Sequence, residues 1–372
     1  MWINNDVDLP GALVTAQREG RLVVFAGAGV SMGPPSNLPS FQALANSIAA
    51  GSLVQRDGEA IDAFLGRVEE KGINVQARTR LLIDVPGSTP RTLHHLLIGL
   101  FKDESSVRLV TTNFDRHFTA ALRAKYATAE IFTGPALPLG RNFSGLAYLH
   151  GAVEKPQSHL VVTDRDFGLA YLADGWATRF LMEMFGRFSV LFVGYGHTDP
   201  VMRYLARSFV GPTSRFALTS LGQDDHWTYL GISPVHVPLR PAPNEYSVID
   251  DAIEAWTKTA GMGVFDHKVR VAQLVTGPPP LEPESLDYLR SVLADEVTLR
   301  FFVEEASLVE WLVWTESEGF LAPLTKLEPI TTGAPQLLAH WFAERFAMAH
   351  SREALQFVQR HARTLSHPLI AG

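Results

Sequence analysis

The stretch from Arg21 to Ser31, Arg-Leu-Val-Val-Phe-Ala-Gly-Ala-Gly-Val-Ser, constrains the fold more than any other part of the chain. Leu22 to Phe25 is a short, continuously apolar run, the pattern of a central strand covered on both faces. It runs directly into Gly27-Ala28-Gly29, and the next regular element is predicted to be a helix from about Pro39 to Ala50. Strand, glycine turn and helix together form the unit that takes the phosphates of a dinucleotide. The glycines permit a tight turn and close backbone approach, and the helix start offers unpaired N–H groups. The usual third glycine is displaced: Met32 stands three residues after Gly29, and Gly33 follows one place late. The turn therefore has two readings, a nucleotide cradle or a packing turn. The segment Met32–Pro39 is rich in turn formers and is either a flap over a ligand or a surface loop.

The same pattern recurs along the chain. Val107–Thr111 is predicted as a second buried strand, ending in Thr112, Asn113 and Asp115. Polar side chains at the carboxyl end of a parallel strand lie where open α/β sheets put their ligand chemistry. Capping of a helix from Arg116 would explain one of them but hardly the cluster. Leu146–Leu149 ends in His150-Gly151, which places an imidazole at a strand end, where acid–base work near neutral pH is available to it. Ser158–Asp164 reads as a further strand, followed by a helix capped by Thr163 or Asp164. Val190–Val193 runs into Gly194-Tyr195-Gly196, and Asp199-Pro200 is suited to open a helix over Val201–Phe209. Arg215–Ser220 is the last core strand and ends in the hydroxyls of Thr219 and Ser220. Between these strands, 42–100 is mostly helical by spacing. His94 and His95 lie on a helix over Thr92–Phe101, where adjacent residues face different sides; they make a poor metal pair and read as structural. Strands alternating with helices specify an α/β fold with a doubly wound, Rossmann-like parallel sheet.

Beyond the Pro-rich segment Pro234–Asn244 the character changes. The expected division is 1–245 as the nucleotide-binding domain, 246–280 as a closing helix and linker, and 281–372 as an all-α region. Leu286, Leu289 and Leu293, then Leu308, Trp311 and Leu312, then Leu338, Trp341, Phe342 and Phe346 fall at helical spacing, as in a helical array. No polar cap is evident near Gly372, so the region is expected to begin a longer array. With 32 Lys and Arg against 39 Asp and Glu, the formal net charge of -7 argues against a general nucleic-acid binder. No Cys is present, which removes disulfides, thiol nucleophiles and thiolate zinc sites. The acidic start lacks a signal-peptide pattern, and no apolar run is long enough to span a bilayer, so a cytoplasmic location is expected.

Taken together, Gly27-Ala-Gly-Val-Ser31, Thr111-Thr-Asn-Phe-Asp115, His150-Gly151 and Gly194-Tyr-Gly196, in this order, resemble the sirtuin (SIR2-like) family over roughly residues 10–240. Leu38-Pro-Ser-Phe41 sits where sirtuins carry Pro-Asp-Phe-Arg, with Ser40 and Gln42 replacing the charged residues. The four-cysteine zinc module of the deacylases is missing. Leu160–Phe167 and Phe192–Pro200 are similar to the zinc-free bacterial branch, which includes defence-associated proteins.

That resemblance implies NAD as substrate, no zinc, and hydrolysis to nicotinamide and ADP-ribose by an effector of anti-phage abortive infection. It implies catalytic roles for Asn113, Asp115 and His150. The pyrophosphate falls to Gly27, Ala28, Gly29 and the Ser31 hydroxyl, the adenosine half to the strand ends at Gly194, Tyr195, Thr219 and Ser220, and the remaining contacts to Thr112 and Phe41. It further implies a homo-oligomer, a tetramer being one form, that is off at rest and regulated by a protein activator or partner such as a phage protein or a neighbouring defence subunit. Two alternatives share the same residues: an NAD-dependent protein deacylase, for which no peptide groove is legible, and a non-catalytic module that senses NAD or ADP-ribose.

Overall fold

The computed structural model describes residues 2–4, 6–196, 213–220, 222, 224–241, 245–325, 332–347 and 351–361. The described chain divides into two compact units, Asp6–Gly261 and a second made of Met1–Asn5 with Met262–Gly372.

The first unit is built on seven parallel strands: β1 (Leu22–Ala26), β2 (Arg108–Thr111), β3 (Ile131–Thr133), β4 (Gly145–Tyr148), β5 (Ser189–Val193), β6 (Arg215–Thr219) and β7 (Ser233–His236). Their order across the sheet is β3-β4-β2-β1-β5-β6-β7, and each neighbouring pair is parallel. Helix α1 (Gly11–Arg18) precedes β1, and α2 (Phe41–Ala49), α3 (Ile61–Glu70), α4 (Val75–Ile83), α5 (Thr92–Gly99), α6 (His117–Lys125), α7 (Asp164–Gly168) and α8 (Trp176–Phe185) lie between the strands from β1 to β5. This is the expected Rossmann-like, doubly wound sheet. The chain leaves β1 to one side through β2 and β4, then crosses to β5 on the other, so the switch point lies beside β1.

The apolar character of β1 follows from its position. All five of its residues are buried, and Phe25 packs its ring 5.2 Å from Phe192 and 5.5 Å from Tyr195. A second apolar cluster joins α2, α3 and α4 to Phe114, Val153, Leu160 and Val162, beside the carboxyl ends of β2 and β4.

Three expectations need correction. Residues 160–163 are buried but form no strand. The N–H groups of Val162 and Thr163 both go to the Asp166 carboxylate, at 3.1 and 3.0 Å, which takes the place of a neighbouring strand; Thr163 caps α7 as expected. The Pro-rich segment after Gly231 holds the edge strand β7, where Pro234 is tolerated because an outer strand need not donate on both sides. The third concerns the 246–280 segment: Val264–Val275 forms a helix within the second unit, while Ser247–Ala260 belongs to the first. The expected helix after Pro200 lies outside the described residues.

The second unit is helical throughout its described part. It centres on Tyr288, Leu289, Leu299, Phe302, Trp311, Leu312, Trp341 and Phe342. The Trp311 and Trp341 N–H groups donate to the carbonyls of Gly277 and Ala306, at 3.0 and 2.7 Å, so both large rings are buried with their polar atom satisfied. No described helix is long and apolar enough to cross a membrane.

Candidate active site

The carboxyl ends of β1, β2 and β4 converge on one cleft. It is lined by Ala28, Ser31, Thr112, Asn113, Asp115 and His150, with an apolar wall that includes Leu38, Phe41, Leu44, Phe114 and Phe167. Its interior is about 60 Å³, well below the roughly 300–1,000 Å³ of a whole ligand site.

Ser31 is the hub of a buried network. Its hydroxyl donates to Asp115 Oδ2 at 3.0 Å and accepts from Asn113 Nδ2 at 3.3 Å. Its third partner is His94 Nε2 at 3.1 Å. The His94 tautomer follows from the opposite nitrogen: Nδ1 accepts the Arg91 backbone N–H at 3.0 Å, so the proton of the neutral ring is on Nε2 and is donated to Ser31. Burial, reinforced by the neighbouring His117, lowers the His94 pKa to about 3 and keeps the ring neutral. Ser31 thus uses one proton and two lone pairs inside the protein. Asp115 divides its oxygens: Oδ1 accepts the His117 N–H at 2.9 Å and so caps the start of α6, while Oδ2 holds Ser31. Burial pushes its carboxyl above the ordinary range. Asp115 thus ties the start of α6 with one oxygen and holds Ser31 in the cleft with the other.

Asn113 is fixed at both ends, its backbone N–H on Thr111 Oγ1 at 3.1 Å and its amide N–H on Ser31. Its carbonyl oxygen makes no hydrogen bond among the described residues. His150 enters from the end of β4 and is 4 % exposed. Its Nε2 lies 2.7 Å from the Tyr171 hydroxyl, and its ring meets Phe167 edge-on at 5.0 Å. Burial among these aromatics lowers its pKa to about 3, so His150 is neutral at physiological pH.

The remaining sequence-derived residues separate into two groups. Phe41 and Thr112 line the cleft, and Thr112 Oγ1 is 2.7 Å from the Tyr195 hydroxyl. Gly27, Gly29, Gly194 and Tyr195 form the rim beside it. There the N–H groups of Gly27 and Gly29 donate to Val193 and Gly194 carbonyls, both at 2.9 Å, rather than pointing at a ligand. A Cβ on Gly27 would lie 2.7 Å from the Gly194 oxygen, and one on Gly29 would lie 2.8 Å from Gly194 Cα. Gly194 itself has φ of +71° and faces the Val30 nitrogen. The glycines are therefore required by the close approach of two backbone segments, which corrects the expectation that their amides and the Ser31 hydroxyl form a phosphate ring.

Thr219 and Ser220 share the rim but lie two strands from β1 and outside the cleft. The Thr219 hydroxyl accepts the buried Trp227 N–H at 3.0 Å. Conversely, His94, expected to be structural, belongs to the site network. The available signal was its place on the apolar stripe with Leu93, Leu97 and Ile98, since a polar group buried there must find a partner. His95, one residue on, is exposed.

Among the described residues, no group of three or more His, Asp or Glu could hold a metal ion. Residues 107–228 match the family model described as a SIR2-like domain, a stretch that carries Asn113, Asp115, His150, Gly194 and Tyr195. The chain is also similar to y4cA of Sinorhizobium fredii (strain NBRC 101917 / NGR234), an uncharacterized protein, with 28% identity over 308 residues. That similarity covers 73% of this chain and 25% of the relative, so the chain spans about a quarter of the length of the relative it matches.

Proposed function

We propose that this chain is an NAD+ glycohydrolase that cleaves NAD+ to nicotinamide and ADP-ribose. The SIR2-like match of residues 107–228 supports NAD-linked chemistry, and the cleft supports hydrolysis. The observation that carries the reading is the convergence of Ser31, Asn113, Asp115 and His150 on one cleft, with the Asn113 carbonyl oxygen unengaged within the described chain.

In the reaction, the bond between the nicotinamide nitrogen and the ribose breaks, neutral nicotinamide departs, and water supplies the new hydroxyl with release of one proton. Positive charge develops on the ribose as the bond lengthens. The catalytic task is to hold the ribose, orient a water and exclude other acceptors. Asn113, gripped through its amide N–H, offers its carbonyl oxygen to the water or a ribose hydroxyl. Asp115 positions Asn113 indirectly, through Ser31. Neutral His150 accepts the proton, its Nε2 exchanging the Tyr171 hydroxyl for a substrate group. Phe41 and Phe167 supply the apolar wall against the departing ring, and Ala28 and Thr112 line the path towards the phosphates.

The wider reading is also ours. The chain acts in the cytoplasm as an effector of anti-phage defence, as a homo-oligomer switched on by a protein activator or partner, with the helical unit receiving the signal. The chemical part is tested by incubating NAD+ with the purified chain in ¹⁸O-labelled water and separating the products. Nicotinamide plus singly labelled ADP-ribose, without any acylated peptide, is the expected result. Turnover only in the presence of an acylated lysine peptide would contradict it.

A further inference from the structure

At the opposite edge of the sheet, four neighbouring strands begin side by side, and each is preceded or opened by an arginine. In sheet order these are Arg141 before β4, Arg108 opening β2, Arg21 before β1 and Arg187 before β5. All four line one open groove of about 660 Å³, in which Glu19 is the lone acidic residue. The concentration is unexpected in a chain with a net charge of -7.

Arg108 is held in place rather than solvated. Its Nη1 donates to the carbonyls of Gly20 and Ser106, at 2.9 and 3.0 Å, and its guanidinium carbon lies 4.7 Å from the centre of the buried Phe188 ring. Its Nε is buried with no partner. The second cation against the same ring is Arg187, at 6.0 Å. Burial and the charge of Arg187 depress the Arg108 pKa, and the opposing pull of the Asp103 carboxylate does not cancel them. Arg21 is paired with Glu19, whereas neither Arg141 nor Arg187 has an ion pair among the described residues. Forked donors of one sign, with Arg108 held in place among them, suit phosphate oxygens, which accept two N–H bonds in parallel. The one aromatic ring at the groove, Phe188, is buried, so no base-stacking surface accompanies the charges.

We propose that this groove binds a small molecule through a chain of phosphates, as in tripolyphosphate or the tail of a nucleoside triphosphate, at a site separate from the cleft. The strands that start at the groove, β1, β2, β4 and β5, lead to the cleft and its rim at their other ends.

The test is calorimetric titration of the whole chain with sodium tripolyphosphate and, separately, with ATP, at low ionic strength and without added metal. One molecule of either ligand should bind per chain, with affinities within about threefold of each other because the phosphates carry recognition. Arg187→Glu should weaken both by at least about tenfold, and adding Arg141→Glu should remove binding. Both side chains are exposed and without ion pairs, so the thermal midpoint should hold. Arg80→Glu, an exposed arginine away from the groove, should change affinity less than about twofold. Saturating NAD+ should not displace tripolyphosphate. The proposal is overturned by absence of saturable binding, by binding that survives the double charge reversal, by an equal loss in Arg80→Glu, or by displacement with NAD+.

Discussion

The two buried site histidines predict a specific acid sensitivity. Each titrates near its ordinary value of 6.5 when the chain is unfolded and near 3 when folded. Between those values the unfolded state binds more protons, so folding stability falls as pH drops through this window and is fully restored above it. Taking 6.5 and 3 for the two states, the loss between pH 7 and pH 5 is about 2 kcal/mol for each histidine, or about 4 kcal/mol for the pair. Carboxylates titrate in the same range, so the histidine share must be isolated by subtraction. The assay is urea unfolding of the wild type, His150→Gln and His94→Gln at both pH values, followed by circular dichroism through the transition that removes the sheet signal. Each variant is less stable at pH 7, but its loss on going to pH 5 should be smaller than the wild type's by about 2 kcal/mol. An unchanged difference in both variants would refute the burial-driven neutrality assigned to these rings.

Other expectations follow from the same geometry. Ser31→Ala strands the Asp115 carboxylate, the Asn113 amide and the His94 N–H together, and should cost about 1–3 kcal/mol in denaturant unfolding. Gly27→Ala should destabilise by about 1–3 kcal/mol, because its Cβ meets a backbone oxygen that cannot rotate away; Gly194→Ala should cost more, since its φ of +71° adds conformational strain. If His150 is the proton acceptor, its base form persists far below neutrality, so NAD+ cleavage should show no acid limb near 6.5 in a rate profile from pH 5 to 8. Tyr171→Phe removes one hydrogen bond to His150 Nε2 and should alter turnover by less than about tenfold.

The sheet was legible because its central strands are covered on both faces and so must be continuously apolar. Leu22–Ala26 and Ser189–Val193 differ from their flanks in that respect. The outermost strands were not legible, since β3 is three residues long and half-exposed, and β7 contains Pro234. Leu160–Val162 misled for the complementary reason: an apolar run reports burial, and here the burial is against α2–α4 with Asp166 taking the backbone N–H groups. Among the residues that line the candidate cleft, Asn113, Asp115 and His150 could be placed there because each follows the end of a buried strand. His94 could not be separated from an ordinary core histidine, as Ser31, the residue that ties it to the cleft, lies 63 residues away along the chain. The glycines at 27, 29 and 194 marked a close approach correctly, but sequence cannot say whether the approaching group is a phosphate or another stretch of backbone.

The measurement that bears most directly on the proposed reaction is nicotinamide release from NAD+ by the wild type, Asn113→Ala and His150→Ala, with NAD+ affinity measured on the same samples by calorimetry. Both variants should lose turnover by at least about a hundredfold while NAD+ affinity stays within about tenfold, because a water-orienting group and a proton acceptor act chiefly on the chemical step. Turnover that survives both substitutions would contradict the assignment of this cleft as the place where the bond is cut.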